Sequence, residues 1–254
     1  MSGDRILYQI QAEGTYQGRE AYAYHILGKR DTFPDTTTLC DIGEHLTTDA
    51  TFTELTGAES FEMVSSSAND TAAGTGTRQV HVIYADTNGD MQDTIVTMNG
   101  VTPVALTGIS ATFIYGIEAH SGGSSEVSAG NIDLRLAGGG AIRARIVAGG
   151  NKSLAARFMV PRGFEGFLVD WDVGAVKQSV DFRLRAQVHS FNGRAYNSRY
   201  LFQDTAYLAA NTRSANDLPW LRLPALSKIK VSARVDSVTQ VRTDADFTVV
   251  IIKG

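Results

Sequence analysis

A chain of 254 residues with 43% hydrophobic and 20% charged residues has enough apolar material to bury one large core or two smaller ones, which excludes a wholly disordered chain. Its formal net charge of −4 comes with no basic block. The electrostatic footprint for wrapping nucleic acid or docking on an anionic membrane is therefore missing, and neither is expected as a direct partner. No run approaches the roughly 18 apolar residues of a spanning helix, and the opening MSGDRILYQIQAEG has neither the basic nor the apolar region of a secretory signal, so a protein made and left in the cytoplasm is expected. The single cysteine, Cys40, permits no intrachain disulfide and no cysteine-rich zinc site, and reads as a small packed residue.

In chain order, residues 1–56 stand apart: they carry Tyr8, Tyr16, Tyr22 and Tyr24, the Thr-rich piece Asp35-Thr36-Thr37-Thr38, and few long strand patterns. Two readings stay open, an extended arm laid on a neighbour or edge strands for the domain that follows. Residues 57–150 read as a first β domain. Its clearest piece is Arg78 to Asn99, where the alternating runs RQVHVIYA and MQDTIVTMN flank Asp86-Thr87-Asn88-Gly89-Asp90. Asn-Gly tolerates positive φ, so a tight hairpin is expected. Further strands are expected at Thr112–Glu118, Asn131–Leu136 and Ala141–Val147, with glycine-rich turns at Ser121–Ser125, Ala137–Gly140 and Ala148–Asn151.

Residues 151–254 read as a second β-sandwich, with strands at Ser153–Val160, Gly166–Val173, Ser179–Ser190, Arg199–Gln203, Lys228–Val235 and Phe247–Ile252. The segment Leu218–Pro224 leads into a closing strand, turn and strand. Short β-rich runs at regular spacing predict an all-β fold, an antiparallel β-sandwich or jelly-roll-like architecture in two β domains.

The reactive side chains form no pattern that chemistry requires. His25, His45, His81, His120 and His189 have no metal-ligand spacing and no HExxH, and His81 and His189 sit inside strand patterns. Asp86 to Asp93 offers oxygen ligands at short spacing, but an EF-hand needs Gly at its sixth position and Glu at its twelfth, where this chain has Gly89 fourth and Thr97 twelfth. No Gly-x-Ser-x-Gly elbow exists around Gly122-Gly123-Ser124-Ser125-Glu126, and Gly138-Gly139-Gly140 and Gly149-Gly150 lack the context of a phosphate loop. Asp170 and Asp172 flank Trp171 in a strand and alternate in facing with it. No catalytic residue, cofactor site or metal site is assigned, and an enzyme is not expected. A sugar-binding module would use exposed rings and amides such as Tyr196, Asn197, Tyr200 and Trp220.

Three segments carry a family resemblance. Ser65-Ser66-Ser67-Ala68-Asn69-Asp70-Thr71-Ala72-Ala73-Gly74-Thr75-Gly76-Thr77-Arg78, then the hairpin and Thr94-Ile95-Val96-Thr97-Met98-Asn99-Gly100, resembles a pattern that recurs in virion structural proteins of tailed bacteriophages. Ser128-Ala129-Gly130-Asn131-Ile132 resembles the strand entry that follows in those proteins, and Met159-Val160-Pro161-Arg162-Gly163 resembles one of their turns. The order of the segments is more specific than any one of them. The resemblance implies a cement or decoration subunit on the capsid surface, with the major capsid protein and further copies of itself, as a homotrimer, for partners. A tail, neck or fibre protein that binds a receptor or glycan is the alternative.

Overall fold

The computed structural model describes residues 10, 13–187, 202–239 and 241–254. The strands are β1 (Thr15–Tyr16), β2 (Arg19–Arg30), β3 (Cys40–Asp41), β4 (Phe61–Ser65), β5 (Thr77–Ala85), β6 (Met91–Thr97), β7 (Val104–Leu106), β8 (Phe113–Gly122) and β9 (Ile132–Leu136). They continue with β10 (Ile142–Ile146), β11 (Arg157–Met159), β12 (Phe164–Val176), β13 (Val180–Gln187), β14 (Phe202–Leu208), β15 (Thr212–Leu223), β16 (Lys228–Val235) and β17 (Arg242–Lys253). The fold is all-β and its sheets are antiparallel. Among the described residues the one helical turn is closed by the Gly14 N–H on the Ile10 carbonyl. The chain divides into two compact units, residues 52–155 and residues 1–51 with 156–254.

In the inserted unit, sheets ordered β10-β9-β4-β7 and β6-β5-β8 share one core. Phe61 and Met63 of β4, Val80 and Val82 of β5, Ile114 and Ile117 of β8, and Ile132 and Leu134 of β9 meet in it. The alternation of apolar and polar residues along β5 and β9 puts every second side chain on that inner face. Each large apolar side chain so buried contributes about 1.5–3 kcal/mol over its exposed state.

In the other unit one sheet runs β1-β2-β17-β12-β15 and the second runs β11-β16-β13-β14, with β3 paired to β16. From β11 to β17 consecutive strands alternate between the two sheets. The inner faces are apolar: Val180, Phe182, Leu184 and Ala186 of β13 and Ile229, Val231 and Ala233 of β16 are buried, as are Trp171 and Val173 of β12 and Phe247 and Val249 of β17. Trp171 donates its indole N–H to Asp204 of β14 at 3.0 Å, a polar link between the sheets. On the outer side of the first sheet, Val169, Val250 and Ile252 are covered by Ile10 with Tyr16 and Phe167.

The first residues differ from both expectations. β2 is neither an arm over 1–56 nor an edge of residues 57–150; it lies between β1 and β17. Its ladder with β17 runs from Ala21↔Ile252 to Arg30↔Thr243. The second expected domain therefore is not 151–254 alone, because a long-range pairing supplies one of its strands. The composition of β2, REAYAYHILGKR, hides this, since polar and apolar residues do not alternate cleanly where both faces of a sheet are partly covered. β15 is a strand that the sequence pattern did not suggest, Leu218–Pro224 being expected only to lead into the next strand. It contains Pro219, which an edge strand tolerates because one side of its backbone is unpaired. Tyr8 and His189 lie outside the described residues, as do Val188–Ser190 and Arg199–Leu201 of the expected strands.

The Arg78–Asn99 hairpin forms between β5 and β6, with Ala85 opposite Met91. Within its turn the Gly89 N–H donates to the Asp86 carbonyl at 3.0 Å and the Asp86 N–H to the Asp90 carbonyl at 3.0 Å. Asp86 Oδ1 accepts the N–H groups of Asn88 and Asp90 at 2.8 and 3.0 Å. Gly89 sits at φ 85°, where a β-branched side chain is strained. Gly89→Val is expected to cost about 1–3 kcal/mol, read as a lowered denaturant midpoint with an unchanged m-value.

Candidate functional site

The Ser65–Thr77 segment is built around one buried carboxylate. Asp70 is fully buried, and its Oδ1 accepts the N–H groups of Thr77 at 2.8 Å and Ala129 at 2.9 Å. Oδ2 accepts the Ser65 hydroxyl at 2.6 Å and the Gly130 N–H at 2.9 Å. The Asp70 carbonyl takes the Gly100 N–H at 2.7 Å. Asp70 thus ties together the Ser65–Arg78, Asn99-Gly100 and Ser128–Ile132 segments that the sequence presents in order. Their small residues follow from the same geometry. A Cβ on Gly76 would lie 2.1 Å from Asp70 Oδ1, and one on Gly130 would lie 2.6 Å from the Ser67 nitrogen. Met159–Gly163 belongs to the other unit, where it forms a turn with the Phe164 N–H on the Pro161 carbonyl.

The glycine turns are occupied by the chain's own groups. The Glu62 carboxylate accepts the N–H groups of Gly138 and Gly139, each at 3.0 Å, and the Arg135 Nε–H at 2.7 Å. Those bonds, led by the one from Gly138, hold the Glu62 carboxyl below its usual range. An anion cradle at this turn is thereby already filled. The Gly123 N–H donates to the Gly76 carbonyl, and Ser125 donates to Thr75, so Gly122–Glu126 packs on the Asp70 loop. The Thr-rich piece is also a self-contained turn: Asp35 accepts both the N–H and the hydroxyl of Thr38 and of Thr37.

The histidines are dispersed. His81 has Nε2 2.9 Å from Asp93 and Nδ1 3.3 Å from Glu118 on the outer face of β5, and the exposed His120 meets its ring edgewise at 6.3 Å. His25 pairs with Thr248 at 3.3 Å, and His45 is buried. Among the described residues no three His, Cys, Asp or Glu side chains are grouped to hold a metal ion. Cys40 is fully buried and burial pushes its thiol up. Of the candidate sugar contacts, Tyr196, Asn197 and Tyr200 and the Trp220 side chain lie outside the described residues.

Asp170 and Asp172 face away from Trp171 and share the outer face of the β12–β17 sheet with Asp244, Asp246, Arg242 and the Lys29 of β2, with Asp31 beside the last two, so that acids are in excess there. Arg213 lies among them, 2.8 Å from Asp246, 3.4 Å from Asp172 and 3.5 Å from Asp244. Burial raises the Asp246 carboxyl above the ordinary aspartate range, opposed by His25 and Arg213. The outer face of the other sheet is the opposite. Arg183 and Arg185 of β13 align there with Lys228, Lys230 and Arg234 of β16, around the buried Asp41, whose carboxylate binds Lys230 at 2.7 Å and the Ser232 hydroxyl at 2.6 Å.

No family model matches the chain and no curated protein matches it. Among solved structures it aligns over its whole length with the VP2 subviral particle of infectious bursal disease virus, covering 78% of that chain at 9% identity and a TM-score of 0.23. The same virus's Gt strain aligns over 97% of this chain and 76% of its own at 10% identity and 0.21. At such TM-scores the likeness carries no argument about fold or function.

Two outcomes are expected. Asp70→Asn turns one acceptor oxygen into a donor facing two donors and should lower stability by about 2–5 kcal/mol, measured by chemical denaturation. The Asp35 carboxyl, held down to about 2 first by the Thr38 N–H, should titrate there by NMR. Because the folded value is depressed, the turn's contribution is present above the ordinary aspartate pKa and is lost as pH falls toward 2.

Proposed function

We propose that the protein is a structural subunit of a tailed-bacteriophage particle, a cement or decoration protein of the capsid shell that acts by binding and performs no catalysis. The observation that carries the reading is a strand order. Sheets β2-β17-β12-β15 and β11-β16-β13-β14 are read as the two halves of an eight-stranded jelly roll, in which consecutive strands cross between sheets. That architecture serves viral capsids, lectins and cupins, so the fold alone does not choose among them. The resemblance of Ser65–Gly100, Ser128–Ile132 and Met159–Gly163 to phage virion proteins favours the first. The proposed partners are the major capsid protein and two further copies at three-fold positions, on the capsid surface after assembly in the host cytoplasm.

Such a role needs rigid surfaces. A standard interface of about 1,600 Å² supports tight binding, and contact with two neighbouring capsomers at once raises the effective concentration of the second contact. The subunit stabilises the shell to the extent that it binds the assembled lattice more tightly than free capsomers. A glycan-binding fibre module is the second reading, favoured by Tyr207, which is 66% exposed while its hydroxyl is held by Asp236 at 3.1 Å. An aromatic ring beside a carboxylate is a sugar platform.

The test is to prepare particles lacking the protein, add it back, and follow bound copies and the temperature of genome release. Saturating binding over the shell with a raised release temperature is expected. An unchanged release temperature refutes cementing, binding confined to one vertex or the tail moves the assignment to a connector, and glycan-dependent attachment to host cells promotes the second reading.

A further inference from the structure

The two outer faces of the β2–β17 unit carry opposite charge. Rows on the β13/β16 face hold Arg183, Arg185, Lys228, Lys230 and Arg234, with Arg157 of β11 opposite Lys230. Asp41 and Asp181 offset them within those rows, and Asp236, just past β16, lies on the Tyr207 hydroxyl of the same face. On the β12/β17 face Asp170, Asp172, Asp244 and Asp246, with Asp31 at the end of β2, outnumber Arg213, Arg242 and the Lys29 that stands opposite Asp244. Both sets include accessible groups: the side chains of Arg183 and Arg234 are 33% and 47% exposed, and those of Asp172 and Asp244 are 30% and 44% exposed. A net charge of −4 for the chain makes the cationic face a local reversal of the protein's own sign.

Each face also presents a large apolar side chain within a charged row. Tyr207, 66% exposed, stands opposite Asp181, which stands opposite Arg234. Leu27, 39% exposed, stands opposite Asp246, which stands opposite Asp172. An apolar anchor ringed by charge is the anatomy of a contact patch, where the anchor supplies burial and the charges supply orientation.

From this polarity we infer that the protein self-associates heterologously, the cationic β13/β16 face of one copy seating on the acidic β12/β17 face of the next. Like faces repel one another, so face-to-face contact of two identical patches is disfavoured and the opposite pairing is selected. The faces are the two outer surfaces of one pair of packed sheets and point in opposite directions. The operation that relates neighbours is therefore a translation or a screw and does not close a ring of three. Copies joined this way form a row, distinct from any three-fold contact and independent of the capsid reading.

Sedimentation velocity of the full chain tests it. At about 20 mM salt, where screening is weak, the weight-average mass should rise with concentration without levelling at a fixed multiple, and at about 500 mM the apparent association should weaken at least tenfold. The double substitutions Arg183→Gln with Arg234→Gln, and Asp172→Asn with Asp244→Asn, each remove two accessible charges from one face. Either variant alone should remain monomeric at low salt, and an equimolar mixture should form pairs that grow no further. Thermal melts check that both remain folded, and the salt series on the unaltered chain decides the matter if one does not. A mass independent of salt, open-ended growth retained by either variant, or a discrete trimer indifferent to all four substitutions overturns the inference. The last result would leave the capsid reading standing, which shell binding measures separately.

Discussion

The antiparallel pairing of β2 with β17 joins the beginning of the described chain to its end, and the larger unit depends on it. Ten successive partners, from Ala21↔Ile252 to Arg30↔Thr243, place β17 in the middle of its sheet with β12 on the other side. Contacts of such sequence separation are entropically costly to nucleate, since a long loop must close before any ladder bond forms. At one end of the ladder Arg30 is almost wholly buried and donates to the carbonyls of Thr32, Asp41 and Asp49 at 2.6, 2.9 and 2.9 Å. Its guanidinium fixes the path by which the chain leaves β2. Burial lowers the Arg30 pKa, but three carbonyl partners and the Phe33 ring, 5.1 Å from Cζ, satisfy a cation that would otherwise be expensive to bury.

The inserted unit solves a similar problem with the opposite charge. Asp70 is a buried anion held by three backbone N–H groups and one hydroxyl. Such a fully satisfied centre specifies one arrangement of the surrounding loops, because any other leaves a buried carboxylate short of donors. The small residues around it are a steric consequence. The Ser65–Thr77 segment, small and polar throughout, is an ordered corner of this unit.

Both units keep their apolar residues between sheets and leave polar chemistry on outer faces and turns. Where N–H groups converge, as at Gly138-Gly139, the chain's own Glu62 already occupies them. His81 is likewise engaged by Asp93 and Glu118. Self-satisfied turns and broad faces of defined charge suit the proposed assembly role, in which the work is differential affinity for an ordered lattice.

Period-two patterning and turn chemistry made the β class and several strands legible in the sequence. Lys228–Val235 coincides with β16, and the hairpin at Asp86–Asp90 follows from the positive φ that Gly89 supplies. These are local properties, written within a few residues. The partner of β2, the edge strand β15, and the division at residues 51 and 155 were decided by tertiary structure, because pairing between distant residues, more than two hundred positions apart for β2 and β17, leaves no local signature. The Ser65–Thr77 motif was visible as letters, yet its meaning rests on Ala129 and Gly130 donating to Asp70, a meeting that only the folded chain brings about. The opposed charge of the two outer faces was equally hidden: the sequence states the net charge of the chain, and only strand order and register determine which charges share a face.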